Sequence, residues 1–235
     1  MNDSLGDRMK GYENAYRIVL PRRMPVIMRL DGKAFHTLTR DAERPFDEVL
    51  GNAMLGVAVR LCEEVHGAQI AFCQSDEISI LIHNYKTLET EPWFGNGLQK
   101  MVSIAASTAA SRFDWRSRKA AFDCRAWVLP EAEVCNYFIW RQQDATRNSI
   151  QMLARSLYSH KECEHKNSSE LQELCWQKGH NWNNLPARWK RGTCIVREGF
   201  EVDGVQRHRW VPDFSTPVFT KSREYIERLL EVESD

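Results

Sequence analysis

The stretch GAQIAFCQSDEISILIHN, residues 67–84, consists of two short apolar runs separated by a polar segment. The runs QIAFC and ISILI are rich in residues that favour strands, and each has the length of a short strand. The segment QSDE (74–77) between them suits the turn of a tight β-hairpin. The stretch therefore predicts a hairpin with two adjacent carboxylates, Asp76 and Glu77, at its tip.

The elements around this hairpin follow from the same kind of pattern. Residues 25–31, PVIMRLD, predict a strand that ends at an acid before a glycine. Apolar residues three and four positions apart predict helices over 46–65 and 97–113. Residues 122–129 predict a further strand, which Pro130 stops. The order β-α-β-β-α-β is the ferredoxin-like unit, so we expect an α+β fold, an α/β sandwich.

This topology brings three acids to one place. Its first and third strands are antiparallel neighbours, so Asp31 at the end of the first strand should face Asp76 and Glu77. Carboxylates gathered at one sheet edge repel one another unless they are paired, protonated or bound to cations. Mg²⁺ takes oxygen ligands, and a pair of metal ions serves phosphoryl chemistry. The pattern favours a two-metal nucleotidyl-transfer palm over its alternative, three solvated turn residues.

The second half predicts further helices and strands. Residues 131–159 have few helix breakers and predict one long helix. The segment 166–175 predicts a loop and then a helix with Ser168 or Ser169 as its N-cap, and residues 222–235 also predict a helix. We therefore expect a palm-like catalytic core over 1–130. The extension over 131–235 should pack on that core and contribute to RNA binding and oligomerisation.

Composition limits the class of protein. The 235 residues include 32 basic and 32 acidic side chains, so any contact with nucleic acid must come from local patches. No apolar run reaches the roughly 18 residues of a membrane helix, and the N-terminus has no apolar leader, which predicts a cytoplasmic protein without a membrane partner.

The cysteines and histidines raise the question of a zinc site. Seven cysteines without a CxxC motif suit reduced core thiols better than disulfides. Five potential zinc ligands lie close together in the chain: His160, Cys163, His165, Cys175 and His180. Their spacing matches no standard zinc module, so the pattern favours a loop and a helix over a metal site.

Two motifs carry a resemblance to a known family. MRLDGKAFHTLTR (28–40) and CQSDEISILI (73–82) resemble the signature of the tRNA(His) guanylyltransferase family. The likeness extends through 98–113, 136–150 and 183–196. It implies a homotetramer that adds nucleotides to the 5′ end of tRNA in the 3′-to-5′ direction. ATP or GTP would activate a 5′-monophosphate, and the 3′-hydroxyl of an incoming NTP would then attack the activated end.

The same resemblance implies roles for individual residues. Asp31 and Asp76 would hold two Mg²⁺ ions with the carbonyl of Gly32 as a further ligand, and Glu77 would complete the catalytic acids. The residues implied in nucleotide binding are Asp31, Gly32, Lys33, Ala34, Phe35, His36, Ser75 and Asp76. The basic residues implied in phosphate contacts are Arg29, Arg44, Lys100 and Arg141. Gly32 also lacks a side chain that would keep phosphate from the backbone, and Lys33 supplies a nearby charge.

One departure from the family pattern bears on the substrate. Members that add a guanylate to tRNA(His) carry H-I-N-N-L-Y-N where this chain has TRNSIQM (146–152), and only Asn148 is kept. This favours the guanylyltransferase-like branch, whose template-dependent polymerases repair truncated tRNA 5′ ends. Three alternatives remain open: addition of the extra guanylate to tRNA(His), a palm-type nucleotide cyclase, and a non-catalytic RNA-binding module.

Overall fold

One antiparallel sheet forms the centre of the computed structural model, which describes residues 4–87 and 89–232. Its strands are β1 (Val26–Gly32), β2 (Ala68–Gln74), β3 (Glu77–Ile82), β4 (Phe122–Val128), β5 (Thr193–Val202) and β6 (Val205–Asp213). They lie in the order β4-β1-β3-β2-β5-β6. The predicted α+β fold with a βαββαβ core is confirmed, and the chain after residue 130 adds β5 and β6 to the same sheet.

The helices agree with the predicted ones to within two residues at each end. They are α1 (Leu5–Ala15), α2 (Phe35–Leu38), α3 (Glu48–Glu64), α4 (Leu98–Arg112), α5 (Glu131–Leu157), α6 (His160–Cys163), α7 (Ser168–Gln177), α8 (Ala187–Arg191) and α9 (Glu224–Glu227). The predictions over 46–65, 97–113 and 131–159 correspond to α3, α4 and α5. Each has apolar residues on one face, which the sheet buries.

The sheet is covered on both faces. Successive residues of a strand point to opposite faces, so Met28 and Leu30 of β1 join one core with residues of α3 and α4. Ile27, between β1 residues of the first core, joins a second core with Phe138 of α5 and Phe219. Arg29 and Asp31 have the same parity as Ile27 and therefore belong to the face that α5 covers.

Two details of the predicted helices are wrong. The N-cap of α7 is Asn167 and not Ser168 or Ser169, because the Asn167 side chain accepts hydrogen bonds from two amides of the first turn and forms a capping box with Glu170. Residues 222–235 do not form one helix. The structure has only α9 and a 3₁₀ turn (Arg228–Leu230) there, and residues 233–235 lie outside the described residues. Acidic residues oppose the dipole at a helix C-terminus.

The cysteines and the candidate zinc ligands serve packing. All seven cysteines lie within the described residues and are free thiols. Cys163 and Cys175 are buried in a small third core between the end of α5 and α7. Within residues 4–87 and 89–232, no three His, Cys, Asp or Glu side chains converge as metal ligands. Over the same residues, no helix is long and apolar enough to cross a membrane.

Candidate active site

The tip of the β2–β3 hairpin lies beside the end of β1, as the topology predicts. Ser75 and Asp76 form the turn, with Ser75 in the left-handed region at φ 48°. Asp31 is the register partner of Glu77 across β1 and β3. The Gly32 amide donates a 3.1 Å hydrogen bond to the Asp76 carbonyl. This backbone bond fixes the end of β1 against the turn and brings Asp31, Asp76 and Glu77 together as one acidic cluster.

The acidic cluster is electrostatically unfavourable without a cation. Burial, and then the neighbouring charges of Asp31 and Glu77, raise the pKa of the Asp76 carboxyl. A bound cation would relieve this repulsion by favouring both carboxylates in their charged form. Asp31 and Asp76 are hard oxygen donors on adjacent backbone segments, and this donor set fits Mg²⁺ with the remaining ligands from backbone carbonyls, water or phosphate.

Glu77 differs from the two aspartates because a cation of the protein already neutralises it. Its Oε1 accepts a 2.8 Å hydrogen bond from Nε of Arg141, and both side chains are largely buried. Arg141 also binds Asp144 at 2.7 Å, and Asp144 binds Arg147 at 2.8 Å. Burial raises the pKa of Asp144, but hydrogen bonds and charges of Arg147 and Arg141 outweigh it and lower that pKa. Glu77 thus begins a buried ion-pair network that joins β3 to α5.

The segment after β1 presents backbone and two exposed side chains beside the acidic cluster. Lys33 and His36 are exposed, and Ala34 adopts a left-handed conformation at φ 55°. Phe35 is buried, with its ring 5.2 Å from the Phe113 ring and 5.5 Å from that of Phe122. A Cβ atom at residue 32 would lie 2.2 Å from the Phe35 ring. Packing of Phe35 therefore requires Gly32, and the Phe35 ring belongs to the core.

The four predicted phosphate-binding residues lie in different places. Arg29 is two residues before Asp31 on the same strand face, and its guanidinium is 6.0 Å from the ring centres of both Trp127 and Trp140. Arg141 also faces the acidic cluster through Glu77. Arg44 is exposed in the loop before α3. Lys100 begins α4, with its ammonium 4.7 Å from the Phe94 ring. Arg29 and Arg141 share the site with Asp31.

A cavity of about 110 Å³ opens beside the Ser75 side of the tip. Its lining combines the start of α3, the end of β2, the middle of α5 and the turn after α8, and includes Asp47, Ser75, Asn148, Met152 and Trp189. The sequence does not reveal this cavity, because its walls come from four separated segments. The stretch TRNSIQM, where the chain departs from the family motif, supplies part of one wall.

Two aromatic rings and an arginine close the side of the cavity near α8. Trp189 stacks on Phe46 with ring centres 5.0 Å apart and 9° between the planes. The Arg188 guanidinium lies 4.4 Å from the Trp189 ring and donates a hydrogen bond to Asn52. These contacts join α8 to α3, so one wall of the cavity depends on the C-terminal part of the chain.

A fourth acid, Asp123, was also missed from the sequence. It is the register partner of Asp31 on the other side of β1, across β4. Its Oδ1 is 3.4 Å from a guanidinium nitrogen of Arg125. Strand pairing places it there, and a strand's position within a sheet gives no local signal in the sequence.

The basic aromatic segment RFDWRSRKA is structural at its centre. Trp115 is fully buried, and the guanidinium groups of Arg116 and Arg118 lie about 5 Å from its ring. Arg118 forms a two-pronged pair with Asp41, and Arg116 binds Asp47 at 3.2 Å. These two arginines are therefore committed to pairs within the chain.

The family model described as tRNAHis guanylyltransferase matches residues 6–130. The chain belongs to the tRNA(His) guanylyltransferase family. A probable tRNA(His) guanylyltransferase of Drosophila melanogaster is 28% identical, over 80% of this chain and 72% of its own length. The match includes β1 to β4 and both motifs that carry Asp31 and Asp76. The chain is accordingly a nucleotidyltransferase of a family that acts on tRNA.

Solved structures of the tRNA(His) guanylyltransferase family agree with the whole fold. A bacterial guanylyltransferase-like protein in complex with ATP is 47% identical, with a TM-score of 0.90 over 98% of this chain and 100% of that one. The bacterial guanylyltransferase-like protein in complex with GTP is 48% identical with a TM-score of 0.88 and the same coverage. The likeness therefore extends beyond residue 130, through α5, β5 and β6.

Proposed function

We propose that this protein extends the 5′ end of tRNA in the 3′-to-5′ direction and repairs truncated 5′ ends on a template. The observation that carries this proposal is the acidic cluster at the hairpin tip, beside a cavity that opens next to Ser75. ATP or GTP would first activate a 5′-monophosphate. The 3′-hydroxyl of an incoming NTP would then attack the activated phosphorus, and the activating group would leave.

Asp31 and Asp76, with the Gly32 carbonyl, would hold two Mg²⁺ ions. Bound there, Mg²⁺ supplies charge stabilisation for the attacking and leaving oxygens. The protein's own part is to hold the carboxylates in the charged form at a place where burial alone raises the pKa of Asp76. The exposed Lys33, the left-handed Ala34 and His36 border this position and would contact the nucleotide, with Phe35 fixing the backbone from the core.

The cavity is our candidate for the base and sugar of a nucleotide. It adjoins Ser75, and its walls combine apolar side chains with a few polar groups, as ligand sites usually do. Asn148 and Met152 line it, and they belong to the segment that differs from the guanylyltransferases proper. A changed wall next to the tip supports a changed nucleotide preference, which favours templated repair over addition of a fixed guanylate to tRNA(His).

Glu77 would act through Arg141. The Glu77 and Asp144 carboxylates accept hydrogen bonds from Nε and one terminal nitrogen of Arg141, which fixes the guanidinium plane near the acidic cluster. A guanidinium fixed in this way is ready to bind phosphate oxygens. Arg29, Arg44 and Lys100 would supply further phosphate contacts, the first of them from the same sheet face.

The decisive experiment offers the protein two tRNAs in parallel, with Mg²⁺, ATP and all four NTPs. One tRNA lacks its first nucleotide, and the other is a tRNA(His) without its extra guanylate. We expect templated extension of the truncated tRNA, with the added base following the opposite nucleotide when that nucleotide is changed. Addition of guanylate to tRNA(His) alone, whatever lies opposite, would contradict the repair proposal.

The same reaction separates the other functions. A nucleotide cyclase would convert NTPs to cyclic products without any RNA, and an RNA-binding module would leave the tRNA length unchanged. The homotetramer, the RNA contacts of residues 131–235 and the cytoplasmic location remain predictions. Light scattering on the full chain tests the first of these directly.

A further inference from the structure

Helix α1 exposes an apolar stripe that its own chain does not cover. No residue of α1 is buried. Four large apolar residues follow one another at intervals of four, three and four: Leu5, Met9, Tyr12 and Tyr16. Their exposed fractions are 67%, 51%, 70% and 76%. At 100° per residue these positions fall within one narrow arc of the helix, so they form a single stripe.

A helix of this length and composition needs a partner to be stable. Isolated helices shorter than about 12–15 residues are marginal in water, and α1 has 11. Gly6 and Gly11 weaken it further, since glycine has poor helix propensity. Its N-cap Ser4 accepts a hydrogen bond from Asp7, which sets where the helix starts but buries nothing. Something outside the described chain must cover the stripe.

We propose that the partner is α1 of a second copy of this chain, packed in parallel as a short coiled coil. The 4-3-4 spacing corresponds to heptad positions d, a, d and a. Arg8 then occupies a g position and Glu13 the following e position. In a parallel pair, g of one helix lies beside the next e of the other, so Arg8 and Glu13 pair twice. In an antiparallel pair, Arg8 would face Arg8 and Glu13 would face Glu13, so the charges favour the parallel arrangement.

The base of α1 extends this surface toward the body of the protein. Ile18 and Val19 are about half exposed. The Ile18 carbonyl accepts a 2.9 Å hydrogen bond from the Leu98 amide, and Val19 pairs with Gly97. Stable interfaces usually bury more than about 1,000 Å², more than two short helices provide, so Ile18, Val19 and the exposed Phe94 would add to the contact. This contact would be one interface of the proposed homotetramer, and it does not depend on the reaction catalysed.

The test measures the mass of the full chain by light scattering at micromolar concentration. Met9→Asp with Tyr12→Asp places charges in the stripe, and we expect the mass to fall at least twofold. The matched control, Lys10→Asp with Asn14→Asp, puts the same residues on the opposite face and should leave the mass unchanged. Thermal unfolding of each variant shows that the body of the protein remains folded.

Charge reversal tests the identity and direction of the partner. Arg8→Glu alone and Glu13→Arg alone should each weaken association by about tenfold or more, and the two together should restore it. An oligomer that survives Met9→Asp with Tyr12→Asp, a monomeric wild-type chain, or a combined reversal no better than the single ones would overturn the proposal. tRNA extension by the same variants is measured separately, so failure of the proposed reaction would not be mistaken for failure of this contact.

Discussion

At the scale of single residues, Asp76 shows what the site demands. Its carboxylate lies beside Asp31 and Glu77, and burial with these charges raises its pKa. A raised pKa means that the folded state binds the proton more tightly than the unfolded state. Stability is therefore highest below the ordinary pKa of 3.8 and falls as the pH rises through the folded value. At neutral pH the Asp76 carboxylate thus destabilises the fold, as functional carboxylates often do.

This gives opposite effects of one substitution on stability and activity. Without Mg²⁺, Asp76→Asn should raise the melting temperature at pH 7, because it removes a crowded charge. It should also reduce tRNA extension by at least about 100-fold. Mg²⁺ should raise the melting temperature of the wild type but not of Asp76→Asn. Calorimetry with and without Mg²⁺ measures both shifts.

The control is Asp203→Asn, in the exposed turn between β5 and β6, where asparagine tolerates the left-handed backbone. It should change neither activity nor the Mg²⁺ response. A lower melting temperature of Asp76→Asn without Mg²⁺ would contradict the electrostatic account. An unchanged activity would remove Asp76 from the catalytic residues.

The Glu77–Arg141 pair is a second test at this scale. Arg141→Ala leaves Glu77 largely buried without its cation, and we expect the free energy of unfolding to fall by about 3–5 kcal/mol. Arg147→Ala is the matched control on α5, because Arg147 is half exposed and its pair with Asp144 contributes about 1 kcal/mol or less. Urea unfolding measures both. Equal effects of the two substitutions would show that the buried pair is not structural.

At the scale of elements, Asp47 controls the start of α3 and one wall of the cavity. Its side chain accepts hydrogen bonds from the Leu50 amide at 2.8 Å and the Glu43 amide at 3.1 Å. Burial raises its pKa, but these bonds, with Trp115 and Arg116, outweigh burial and lower it. A lowered pKa gives stability that is present above the ordinary value of 3.8 and is lost as the pH falls through the folded value.

We therefore expect Asp47→Ala to lower the free energy of unfolding at pH 7 by about 1–2 kcal/mol, the usual loss of an N-cap. The difference from the wild type should shrink as the pH falls below 3.8. Asp47→Asn keeps an oxygen for the Leu50 amide and should lose less. Urea unfolding at pH 7, 4 and 3 measures these differences. A gap between Asp47→Ala and wild type that is constant with pH would contradict the role of the charge.

The elements also show which parts of the fold could be predicted. Strands β1 to β4 and helices α3 to α5 bury one face or run, so their periodicity appears in the sequence. The meeting of Asp31 with Asp76 followed from topology alone. The cavity, Asp47 and Asp123 could not be predicted, because they depend on strand order and on contacts between distant segments. Helix α1 gave no prediction because its stripe covers nothing within the chain, and α7 took the cap with the better geometry.

At the scale of the whole molecule, the two parts of the chain share one core. Ile27 and Phe72 of the strands are fully buried by Phe138 of α5 and by Phe219. β5 continues the sheet next to β2, with Cys73 opposite Thr193. Removal of residues 131–235 would expose this apolar face and leave β2 as an open sheet edge, both of which favour aggregation. The catalytic end of the sheet therefore depends on segments that lie outside the family motifs.

The last prediction follows from this shared core. The full chain should unfold in urea as one cooperative transition, with tryptophan fluorescence and far-ultraviolet circular dichroism giving the same midpoint. A fragment of residues 1–130 should not fold alone, and it should be digested by protease at concentrations that leave the full chain intact. The control is the full chain cut within the β5–β6 turn, near Gly204, where no side chain is buried. Two separate transitions, or a protected 1–130 fragment, would mean that the sheet is stable without α5, and Asp31 and Asp76 would then be positioned by the first part of the chain alone.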